Sequence, residues 1–98
     1  MNDLIVLAIT QKRKILFYYD GGIRIVEPHA YGNDKNGRPK LRGYQLSGYS
    51  ESGKPEGWKL FNVSDIQSLQ LLEEYFKQPR NGYNPNGDKA IPNIVSML

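Results

Sequence analysis

A chain of 98 residues, 39% of them hydrophobic and with a mean hydropathy of −0.59, can enclose one modest core and no second one. It has no apolar run near the roughly eighteen residues a membrane helix needs, no basic leader stretch in Met1-Asn2-Asp3-Leu4, and no cysteine for a disulfide, thiolate metal site or nucleophile, so cytoplasmic residence without a membrane partner is expected. The net charge of +3 is uneven, with ten Lys/Arg against six Asp/Glu in residues 1 to 60 and three against four in 61 to 98, which favours an anionic partner weakly.

Residues 3 to 12 read as a helix, with Leu4 and Ala8, and Ile5 and Ile9, recurring four apart and Asn2 or Asp3 available to cap the first turn. Lys12, Arg13 and Lys14 then sit at its C-terminal end, where cations suit the helix dipole. Ile15 to Tyr19 and Ile23 to Val26 are rich in β-favouring residues, and Asp20-Gly21-Gly22 between them signals a hairpin. On the second strand Arg24 shares a face with Val26, and Glu27-Pro28 is expected to end the pairing because proline lacks the ladder N–H.

A polar segment from Asn33 to Pro39 leads to a strand over residues 41 to 50, and the Gly/Pro-rich stretch from Ser52 to Gly57 returns the chain into a strand over 58 to 63. Tyr44 shares a face with Arg42 and Leu46 and is assigned to the core, with Gln45 pointing away; Phe61 and Val63 are the core pair of the next strand, leaving Trp58 outside. Residues 66 to 76 fit either a helix stripe through Leu69, Leu72 and Phe76 or a final strand. The tail beyond Gln78, with Pro79, Pro85 and Pro92, reads as loop packed on the domain until a last turn within residues 91 to 98. Four or five short strands with helical ends imply a mainly β fold: a small, strongly bent antiparallel sheet or an Sm-like β-barrel with an N-terminal helix.

The order of a basic-ended helix, Phe17-Tyr18-Tyr19, Arg24 with Val26-Glu27-Pro28-His29, Gly43-Tyr44-Gln45-Leu46-Ser47-Gly48 and Lys59-Leu60-Phe61-Asn62-Val63-Ser64-Asp65-Ile66 resembles the WYL domain. The family's name tripeptide falls on Tyr44-Gln45-Leu46, and Lys59 and Asp65 stand where the family carries arginines. The resemblance implies a barrel domain over residues 1 to 78, followed by a tail from 79 to 98. It also implies a regulatory sensor of nucleic-acid or nucleotide-type ligands, of the kind found in transcription regulation and phage defence. This chain has no room for the helix-turn-helix part that usually accompanies it.

The candidate ligand contacts are Arg24, Arg42, Lys59 and His29 for phosphate, with Tyr31, Tyr44 and Trp58 as ring surfaces. A cation beside flat π faces on a sheet suits an anionic, planar ligand such as a nucleotide or single-stranded nucleic acid. His29 is the only histidine, so no metal site and no cofactor are expected, and no base–nucleophile pairing suggests an enzyme. Two functions follow from different classes. One is a non-enzymatic binding module, which requires Arg24, Arg42 and Lys59 to converge on one concave surface. The other is a structural or protein-interaction module that forms a homodimer or docks on a larger partner through an edge strand or the Trp58 face.

Overall fold

The computed structural model describes every residue from Met1 to Leu98, in an envelope of 29 × 28 × 25 Å. One helix, α1 (Asn2–Gln11), precedes six strands: β1 (Arg13–Tyr19), β2 (Gly22–Asn33), β3 (Pro39–Gly48), β4 (Gly57–Asn62), β5 (Gln67–Tyr75) and β6 (Asn93–Met97). Helix α1 buries Ile5, Ala8 and Ile9, spaced three and four apart, so one stripe meets the sheet. It stops at Lys12, which takes a left-handed conformation (φ 53°) and returns its N–H to Ile9 at 3.2 Å. The cations therefore lie just past the helix: the Arg13 Nε–H donates to the Leu72 carbonyl, and Lys14 pairs with Glu74.

The β1–β2 hairpin forms as its turn residues dictate. Asp20 and Gly21 both have positive φ (44° and 99°), the conformation that matches strand twist in a two-residue turn, and Tyr19 lies opposite Gly22. Strand β2 does not stop at Pro28. It runs twelve residues to Asn33, pairing with β3 along most of its length, with β1 through Val26, and with β6 from Ala30 onward. Glu27 and Pro28 thus have β3 alone as a strand neighbour, and a missing donor is tolerated there.

The strand order is β4-β3-β2-β1-β5, with β6 beside the second half of β2. A mainly β domain with an N-terminal helix is what forms, but the expected barrel or strongly bent sheet does not. Strands β4 and β5 are free edges with no ladder between them, and the sheet stays open and not strongly curled. Their linker is a 3-10 turn over Val63–Asp65 that bonds within itself, Ile66 N–H to Val63 at 3.1 Å, and sends Val63 and Ile66 into the core instead of extending a strand. The segment from 66 to 76 resolves as edge strand β5, and the last expected turn is strand β6.

The core lies between α1 and one sheet face, with Ile15, Phe17, Val26, Tyr31, Leu41 and Phe61 under Ile5, Ala8 and Ile9. Phe17, Tyr19 and Phe61 meet edge to face, at centroid separations of 5.0 to 6.2 Å. Register corrects one facing expected from sequence. Leu41 lies opposite Phe61 and Gly43 opposite Lys59, so Gln45 points inward and is fully buried, while Tyr44 is half-buried on the other face. Phe61→Ala is expected to lower the unfolding free energy by about 3–5 kcal/mol, whereas Leu60→Ala, on the outer face of the same strand, costs under about 1 kcal/mol. Urea denaturation of the two variants checks the register.

Candidate functional site

Arg24 lies opposite Phe17 and so points to the helix-side face. Its side chain is 5% exposed and joins none of the four ion pairs of the molecule. It forms no bridge to the neighbouring carboxylates of Asp20 or Glu27. Instead, Nη1 donates to the Gln45 side-chain oxygen at 3.4 Å and Nη2 to the Tyr19 carbonyl at 3.1 Å, while Nε is buried without an acceptor. Rings of Tyr19, Tyr49 and Phe61 stand 5.1, 5.5 and 5.9 Å from the guanidinium carbon. The cage supplies cation–π attraction but no counter-charge.

Tyr49 closes that cage because the backbone beneath it has no side chains. A Cβ at Gly22 would fall 2.3 Å from the Tyr49 Cβ, and Gly48 turns the chain into the loop with φ 106°. A Cβ on Gly48 would also meet the Ile23 carbonyl oxygen, so the residue is fixed twice over. The Gln45 amide donates to the Tyr49 carbonyl at 3.0 Å. Lys59, on the same face as Gln45, donates to the Ser50 hydroxyl at 3.3 Å and the Lys54 carbonyl at 3.0 Å. Arg24 and Lys59 thus touch consecutive residues of one loop, and neither meets a carboxylate.

Arg42, Tyr44, Trp58 and His29 belong to the opposite face, which the tail covers. Arg80 forks onto Glu27 at 2.7 and 3.2 Å and stacks over Tyr44 at 4.7 Å; the carboxylate holds the Arg80 proton more firmly than usual. Arg42 forks onto Asp88 at 2.7 and 3.2 Å, which lowers the Asp88 carboxyl below its ordinary range. The Trp58 indole N–H donates to the Asn81 carbonyl at 3.0 Å, with His29 and Tyr44 edge-on to it. Tyr31 belongs to neither group: it is a core residue under α1, and burial raises its phenol pKa.

The three cations therefore do not share one hollow. Arg24 and Lys59 lie on one face and touch one loop, Arg42 lies across the sheet, and Tyr31 and His29 are buried. Gln45, Tyr49, Arg80, Tyr83 and Asp88 carry contacts that the strand patterns did not single out. Only Gly48 before Tyr49 hinted at one of them, by marking where the chain leaves the ladder. No group of three metal-ligating side chains exists. Comparison with protein-family models, with curated proteins and with solved structures finds no match, so the likeness to the WYL domain rests on motif order alone.

His29 is fully buried and both ring nitrogens are used. The Arg80 backbone N–H donates to Nε2 at 3.0 Å, so the proton sits on Nδ1, which donates to the Glu27 carbonyl at 2.8 Å. A second proton would face an N–H donor, and burial already lowers the pKa below 6.5. The unfolded chain takes up that proton more readily than the folded one. The contribution of His29 to stability is therefore complete above about pH 6.5 and is lost as pH falls through the window toward the lowered folded value. Chemical denaturation from pH 8 to 5 should show stability falling below about 6.5, and His29→Gln should flatten that slope.

Proposed function

We propose that this chain is a non-enzymatic binding module for a nucleotide-type anion, which it takes through Arg24 and Lys59 beneath the loop from Tyr49 to Glu56. The three-cation hollow expected from the sequence does not form, because Arg42 is taken by Asp88, and the reading rests on the Arg24 cage instead. The observation that carries this reading is the caged guanidinium of Arg24, buried without a counter-charge and with Nε unpartnered. Burying an ion costs several kcal/mol. Cation–π contacts return about 0.5–2 kcal/mol each, and two hydrogen bonds to neutral acceptors about 1 kcal/mol each. A phosphate oxygen would supply the missing acceptor, and the lone ammonium of Lys59 a second contact. The rings of Tyr19 and Tyr49 would flank a base or ribose. The Tyr49 backbone is held by Ile23 and Gln45, but its side chain is 43% exposed, so rotation of the ring opens the site.

Calorimetric titration with nucleoside monophosphates and with a 5′-phosphorylated oligonucleotide tests the proposal. Saturable binding that weakens with salt is expected, with Lys59→Gln lowering affinity about tenfold, a loss near 1.4 kcal/mol. Arg24→Met should abolish binding while changing thermal stability little, because the relief of a buried charge is offset by the Gln45 oxygen that loses its donor. Absence of saturable binding, or an Arg24→Met variant that binds normally or melts many degrees lower, contradicts it.

A second reading, an interaction module, is favoured by one feature. On the outer face, Tyr18 opposite Ile23 and Leu16 opposite Ile25 lie beyond the tail's cover, with Tyr18 and Ile23 exposed beside the free edge β5. Sedimentation at rising concentration should then show association that Ile23→Lys removes; a monomer throughout rejects it.

A further inference from the structure

The tail does more than cover the outer face: it leaves a cavity of about 330 Å³ against it, walled by Ala30, Arg42, Trp58, Tyr83, Asp88 and Lys89 among others. We propose that this cavity is a second site, separate from the Arg24 pole, which binds a small aromatic monoanion such as an aromatic carboxylate. The two ring walls are held in advance. Trp58 is fixed by its bond to the Asn81 carbonyl and by edge contacts to His29 and Tyr44. Tyr83 is fixed by its hydroxyl, which donates to the Leu98 carbonyl at 2.7 Å. The rings are close to parallel, 21° apart with centroids separated by 6.4 Å. Gly82 permits this approach, since a Cβ there would lie 3.0 Å from the indole nitrogen. Rigid aromatic walls bind at small entropic cost.

Charge selects the acid group. Arg42 uses Nε and Nη2 for Asp88, so its Nη1 has no protein acceptor. Lys89 stands at the wall and joins no ion pair. One carboxylate against two cations leaves a single positive charge, which suits a monoanion and not a dianionic phosphate. The volume lies at the lower end of ligand cavities, enough for one ring system and its acid group.

Trp58 is the only tryptophan, so its fluorescence reports on this cavity directly. Titration of the full chain with benzoate and phenylacetate, and with the corresponding neutral amides, is the test. Saturable quenching by the acids is expected, with the amides at least about tenfold weaker. Lys89→Glu, at an exposed position, should weaken the acids by about tenfold or more without lowering the melting temperature. Lys59→Gln should change nothing here, so this site and the Arg24 pole fail independently. No saturable response up to millimolar acid, equal binding of acid and amide, or a Lys89→Glu variant that binds as well as the parent would each overturn the proposal.

Discussion

Strand β2 is the constraint on which the rest of the molecule depends. It is bonded to β3 on one side and to β1 and then β6 on the other, so it belongs to every part of the sheet. Its first half contributes Arg24 and Val26 to the helix-side face. Glu27 and His29 point to the face beneath the tail, and past the irregularity between Pro28 and Ala30 the strand adds Ala30 to that face and Tyr31 to the core. A bulge of this kind changes which way side chains point without ending the strand. The two candidate sites are thus two ends and two faces of one strand.

The ionic groups of the two faces are treated in opposite ways. Glu27 is almost wholly buried and is met by both arms of the Arg80 guanidinium; Asp88 receives the same treatment from Arg42. Removing either arginine leaves a carboxylate that has lost its fork, which is how the tail is tied to the sheet. Arg24 is as deeply buried as Glu27 yet has only neutral partners. Within one small domain, a solution to burying charge is used twice and withheld once. That contrast, more than the presence of basic residues, is what the proposal of anion binding at the Arg24 end rests on.

Local chemistry made much of the fold legible. Asp20-Gly21 demanded a hairpin, the alternation of Leu41 with Phe61's strand demanded pairing, and the helix stripe of Ile5, Ala8 and Ile9 followed from spacing. Facing was harder. Tyr44 looks like a core residue and Gln45 does not, but Gln45 is buried because Arg24 and Tyr49 satisfy its amide, partners 21 and 4 residues away that no strand pattern reveals. Pro28 read as a terminator because its effect depends on which neighbour lies alongside, and β6 comes from the far end of the chain. Closure into a barrel was misjudged for a related reason: the short link after β4 turns inward and bonds to itself, so its residues join the core instead of a ladder. Of the candidate residues, Arg24 and Lys59 share a face, whereas Arg42, recruited by Asp88 across 46 residues, lies on the other.

Under the proposed function, Arg24 keeps an unfilled donor for an anion. Side-chain NMR of the arginine Nε–H group reads this directly. On addition of a nucleoside monophosphate, the Arg24 Nε–H resonance should move downfield and exchange more slowly with water as it gains an acceptor, with Tyr49 resonances shifting alongside. A guanidinium whose signal stays fixed through the titration, while surface lysines alone respond, would show that the cage is a sealed structural element and would contradict the account.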